Sequence, residues 1–129
     1  MSFTFGELKF KDVPAEFFGK GVVIRVTERN VAQTVARSRL EVAIRKNPDM
    51  KEKPEFYVGS GLMSVCVNPA NGEPAFADDQ LVDFVTKIPG TLYLELTNAH
   101  YEMNPTEFAS IDEPEDKKKD AFKEKKTKS

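Results

Sequence analysis

The chain has 129 residues and a mass of 14.5 kDa, which is room for one domain around one hydrophobic core. Apolar residues make up 40% of it and ten residues are phenylalanine, enough to fill an interior despite a charged fraction of 31%. A net charge of -2 gives no general attraction to polyanions, no run approaches the ~20 apolar residues of a membrane helix, and a lone cysteine, Cys66, excludes an internal disulfide.

Residues 1–7 show neither a basic start followed by an apolar run nor a twin-arginine stretch, so a reducing cytoplasm is the expected compartment. Phe3 and Phe5 alternate with polar neighbours, and Leu8 and Phe10 alternate one step out of phase, which a strand with a bulge at Gly6 explains. The stretch from Val13 to Phe18 interrupts that pattern. Gly19-Lys20-Gly21 then turns the chain into the β-branched run Val22–Val26, and the two strands form an N-terminal β-hairpin. Thr27 offers an N-cap, and Val31, Ala32, Val35, Ala36, Leu40, Ala43 and Ile44 recur at helical spacing, predicting a long helix that stops before Pro48.

The segment Glu55-Phe56-Tyr57-Val58, followed by Gly59-Ser60-Gly61, reads equally as a short strand or a loop. Leu62–Val67 is a short apolar run, and the turn signals of Asn68-Pro69 and Asn71-Gly72 lead to Ala75-Phe76, predicting a second short hairpin. Asp78 and Asp79 open a helix over Leu81, Val82, Val85 and Ile88, which Pro89-Gly90 ends. Leu92, Leu94 and Leu96 alternate as in a strand, whereas Leu92, Leu96, Ala99 and Met103 share a helical face; the longer match favours a last helix capped by Thr91. After Pro105 an acidic block precedes seven lysines between Lys117 and Lys128, a composition that cannot bury a core. The predicted organisation is therefore a single α+β domain over residues 1–104 and a disordered, acidic-then-basic tail over residues 105–129.

Catalytic chemistry finds little purchase. His100 is the only histidine, expected on the polar side of the last helix, and Cys66 lies in an apolar run where a buried structural thiol is expected. Asp78, Asp79 and Asp83 do not have the spacing of an ion-binding loop, and the two Gly-x-Gly triplets lack the rest of a phosphate loop. The tail lysines suit phosphate, but the acidic block beside them competes for the same charges, so nucleic acid is not an expected partner. No enzyme activity, metal or cofactor is predicted. Aromatic content points instead to protein binding, with Phe3, Phe5, Phe17, Phe18, Phe56 and Tyr57 as the candidate contact residues.

The stretch Val65-Cys66-Val67-Asn68-Pro69-Ala70-Asn71-Gly72-Glu73-Pro74-Ala75-Phe76-Ala77-Asp78-Asp79, continuing through Leu81 to Ile88-Pro89, resembles the tail assembly chaperones of long-tailed bacteriophages. The shared features are a hydrophobic strand, a turn with Gly and Pro, a Phe, an acidic helix cap, a helix ending in an Ile-Pro step, and another helix. The resemblance covers residues 20–104 and carries over no catalytic residue. It implies a chain that acts in the host cytoplasm, keeps the tape measure protein soluble, promotes polymerisation of the tail tube protein around it, self-associates into homo-oligomers, and is absent from the finished virion. It also implies a programmed frameshift near the end of the message, for which Lys117-Lys118-Lys119 or Glu124-Lys125-Lys126 would supply repeated bases. The alternative is a small structural virion protein of the minor tail or head-completion type.

Overall fold

The computed structural model describes residues 2–108. It is an α+β fold with three antiparallel strands in the order β1-β2-β3, where β1 is Phe10–Pro14, β2 is Val23–Thr27 and β3 is Cys66–Val67. Four helices complete it: α1 (Val31–Arg45), α2 (Pro54–Met63), α3 (Leu81–Thr86) and α4 (Gly90–Met103). Short 3-10 turns occupy Glu16–Phe18, Asp78–Gln80 and Pro105–Phe108.

The N-terminal hairpin forms, but its first strand lies later than the alternation predicts. β1 pairs with β2 from Phe10↔Thr27 to Pro14↔Val23, and residues 2–9 form an arm outside the sheet, in no helix, turn or strand. The reason is the length of the partner, because β2 ends at Thr27 and α1 starts four residues later, leaving Phe3 to Leu8 no strand to pair with. The hydrogen bond from Ala15 N to Val22 O fixes the parity of the ladder, so Pro14 falls opposite Val23 at a non-bonded pair where its missing N–H costs nothing. Gly19 and Gly21, at φ 144° and 77°, make the tight return between the strands.

Helix α1 is capped by Asn30 and not by Thr27: Asn30 Oδ1 accepts from Gln33 N at 2.8 Å, and Gln33 Oε1 accepts from Asn30 N at 2.9 Å. Residues 55–58, open between strand and loop in the sequence, belong to α2, which begins with Pro54 in its first turn and continues through Gly59 and Gly61. Those glycines serve contact. A Cβ on Gly59 would stand 2.5 Å from Val85 Cγ2, and one on Gly61 would stand 3.2 Å from the Arg37 guanidinium. Leu62 and Met63 accordingly end α2 and leave β3 only two residues long. The second hairpin is present in rudimentary form, with Val67 bridging to Pro74 and Asn68 N donating to Glu73 O at 2.8 Å. α4 is helical, with Leu92, Leu96 and Ala99 inward and Leu94 outward; Pro89 holds its N-cap position and Thr91 makes no cap bond.

The core lies between the sheet and the helices. Val26, Ile44, Val65, Phe84 and Leu96 are its largest fully buried apolar side chains; α4 packs on β1 and β2 while α2 contacts α1, α3 and α4. Packed structure runs past residue 104, because the turn Pro105–Phe108 is held against the domain. The rest of the predicted tail, residues 109–129, lies outside the described residues.

Candidate protein-binding surfaces and a buried clasp

Of the six aromatic candidates, the arm residues Phe3 and Phe5 are 86% and 94% exposed, and Phe17 and Phe18 lie exposed on the 3-10 turn between β1 and β2. Phe56 is a correction. It faces inward from α2 and belongs to the core, so it meets no partner unless the domain opens. Tyr57 is half-buried, and its hydroxyl donates to Lys51 O at 3.1 Å.

Phe17 and Phe18 start an aromatic ladder that descends from the surface. Ring centroids are 5.0 Å apart for Phe17–Phe18, 5.6 Å for Phe18–Phe76, 5.0 Å for Phe76–Phe84 and 5.7 Å for Phe84–Tyr93. Each contact is edge-to-face or tilted, the geometry favoured by the ring quadrupole. Beside Phe18 and Phe76 opens a cavity of about 610 Å³, bounded by the start of β2 on one side and the turn at Asn68–Ala70 on the other. Its volume lies within the range of roughly 300–1,000 Å³ that holds small ligands or a few side chains.

A second surface was not visible as such in the sequence. The apolar positions of α1, which the spacing assigns to a single core face, divide into two. Leu40 and Ile44 are buried, whereas Val31 and Val35 are 80% and 56% exposed and Val42, outside the predicted set, is 40% exposed. At about 100° per residue the three valines fall within about 40° of one another and almost opposite Leu40 and Ile44. Ser38 lies in the same outward stripe, and Arg39 and Arg45 border it. The signal was the excess of apolar residues: seven positions exceed what one face of a four-turn helix buries.

The third feature is a polar clasp around Arg29, whose side chain is only 9% exposed. Its guanidinium donates to both Glu107 oxygens at 2.6 and 3.1 Å, to Ser64 Oγ at 2.6 Å and to Gly61 O at 2.9 Å. Asn104 Oδ1 accepts from Arg29 N at 2.7 Å, while Asn104 Nδ2 donates to Thr27 O at 3.0 Å and lies 3.1 Å from His100 Nδ1. His100, expected on the polar side of its helix, is instead buried, with Nε2 3.4 Å from Glu107 Oε1 and its ring against Phe108. Because Asn104 Nδ2 can only donate, His100 Nδ1 accepts, and the neutral imidazole carries its proton on Nε2, facing Glu107. Burial pushes His100 down from the ordinary 6.5 to about 4, with Arg29 and Arg37 adding to the effect and Glu107 opposing it. Burial alone would raise Glu107, but the hydrogen bond and charge of Arg29, with His100 and Arg37, outweigh it and hold the carboxyl below its usual range. The clasp ties Pro105–Phe108 to α1 and α2.

The other candidates for chemistry are engaged structurally. Cys66 is buried, donates to Leu62 O at 3.4 Å, and is pushed up to about 12 by desolvation. Asp78 pairs with Arg39 at 2.6 Å and Asp83 with Lys87 at 3.2 Å, so these two carboxylates are drawn to separate cations. Among the described residues no group of three or more His, Cys, Asp or Glu side chains is placed to hold a metal ion, and no helix is long and apolar enough to cross a membrane. Nothing among known family models, curated proteins or solved structures matches this chain.

Proposed function

We propose that this chain is a phage tail assembly chaperone that binds the tape measure protein, keeps it soluble and promotes polymerisation of the tail tube around it. The observation that carries the reading is the outward valine stripe of α1, about 16 Å long from Val31 to Val42. A long helical client exposes an apolar stripe of its own until the tube encloses it. A helix-shaped ridge of Val31, Val35, Ser38 and Val42 matches such a stripe along its length, in the way amphipathic helices pack on one another. Arg45 beside the ridge favours a client stripe flanked by a carboxylate, Arg39 being already paired with Asp78. One ridge of this size binds weakly and releases readily; many copies along one client hold it through multivalency, as a chaperone that leaves before the structure is finished requires.

Co-expression with the tape measure protein tests the proposal. The soluble fraction of the client is expected to rise with this chain and to fall back with Val31→Glu/Val35→Glu, while finished tails contain none of it. A client no more soluble with the chain than without it refutes the reading. Persistence of the chain in purified tails favours the structural-protein alternative.

A further inference from the structure

The central strand of the sheet ends with an unspent edge. Ladder parity directs the N–H and C=O of Thr27, Arg25 and Val23 towards β3: Thr27 N donates to Val65 O at 3.1 Å, and Arg25 pairs with Val67. β3 ends at Val67, where the chain enters the turn closed by Gly72 N donating to Asn68 O at 2.7 Å, so the pairing with β2 stops two residues short of Val23. Among the described residues neither backbone group of Val23 has a hydrogen-bond partner. This open position forms one wall of the 610 Å³ cavity, whose other lining includes Phe18, Val22, Ala75 and Phe76. Two free backbone groups beside an apolar trough are what an added β-strand needs.

The same chain carries such a strand. Residues 2–9 lie in no helix, turn or strand, and among the described residues their backbone bonding to the domain begins only at Lys9, whose N donates to Glu28 Oε1 at 2.7 Å and whose O accepts from Glu28 N at 2.9 Å. In an extended arm Phe3 and Phe5 project on one side, and both are almost wholly exposed. The arm of the same molecule cannot fill its own slot. Lys9 lies opposite Glu28, five residues along β2 from Val23 and two strand spacings from the slot, a straight-line distance of about 19 Å. The five-residue span from Thr4 to Lys9 reaches at most about 17 Å, and the sheet stands between.

We infer that residues 2–6 of one copy add as a strand beside Val23 of a second copy, seating Phe3 and Phe5 against Phe18 and Phe76. Arm and slot lie at opposite ends of the sheet, so each copy donates one arm and receives one, and association is head-to-tail unless two arms are exchanged reciprocally. This contact stands apart from the α1 ridge and does not depend on the client.

The test uses the pure full-length chain. Sedimentation of the wild type is expected to show concentration-dependent association, and Phe3→Ser/Phe5→Ser is expected to weaken it roughly a hundredfold, the loss of two buried aromatic anchors. Because Phe3 and Phe5 are 86% and 94% exposed in their own domain, the variant keeps its thermal transition. Full-length Phe5→Cys and Pro69→Cys chains, mixed and oxidised, are expected to yield a dimer of one chain of each kind, joined by a disulfide between positions 5 and 69. A wild type that is monomeric throughout, association unmoved by the double serine variant, or mixing that gives no such cross-linked dimer overturns the inference; none of these results bears on client solubilisation.

Discussion

Acidification isolates the clasp, because His100 is the only histidine in the chain. Its folded pKa is depressed from 6.5 to about 4, so between those values the unfolded chain binds a proton that the folded chain refuses. Stability is therefore full above the unfolded value and falls as pH drops towards 4. Between about pH 7 and pH 5, where Glu107 stays ionised in both states, the loss is about 2 kcal/mol, from ~1.4 kcal/mol for each pH unit below 6.5. Urea unfolding of the wild type and of His100→Gln across this range measures it: the wild type is expected to lose most of that amount, and the variant, which has no proton to take up, to lose little. Equal losses in both would show that His100 is not held neutral by its surroundings and would refute the reading of the clasp.

Glu107→Gln removes the carboxylate from a guanidinium that is only 9% exposed but retains Ser64 and Gly61 as acceptors; the expected cost is about 2 kcal/mol in chemical denaturation. Gly59→Ala gains up to ~1 kcal/mol in helix propensity but drives a methyl to within 2.5 Å of Val85, for a net destabilisation of about 1–2 kcal/mol in thermal unfolding. Native alkylation of Cys66 at about pH 8 is expected to proceed only through opening of the domain, its rate rising with urea in step with unfolding, since the buried thiol is pushed up to about 12. On α1, Leu40→Ala is expected to cost about 2–4 kcal/mol, whereas Val35→Glu, on the opposite side, changes stability by less than ~0.5 kcal/mol and lowers client solubility in co-expression.

The elements that were legible in the sequence are those whose punctuation is local. The hairpin return at Gly19-Lys20-Gly21, the stop of α1 before Pro48 and the break between α3 and α4 at Pro89-Gly90 all depend on backbone preferences of one or two residues, and all occur as expected. Gly59-Ser60-Gly61 misled for the opposite reason. Its glycines permit the close approach of α3 and of Arg37, a tertiary cause that imitates a turn signal. His100 and Phe56 were misplaced because burial is decided by partners distant in sequence: Glu107 and Arg29 enclose the imidazole, and α2 had to be recognised as a helix before Phe56 acquired a core-facing side.

The contact surfaces follow from surplus. A chain of this size needs one apolar side of α1, one strand opposite β2 and no arm in order to fold, yet it carries a second valine stripe, an open position at Val23 and two phenylalanines outside the domain. Exposed apolar groups of this kind are a hazard of aggregation unless something covers them. The two surfaces are separate in character: the ridge on α1 is shaped for a helix and the slot at Val23 for a strand. With the proposed client on the ridge and the inferred arm in the slot, a copy would hold its neighbour and a helical client at once, so that occupancy by one would not displace the other and coverage of a long client would extend by adding copies.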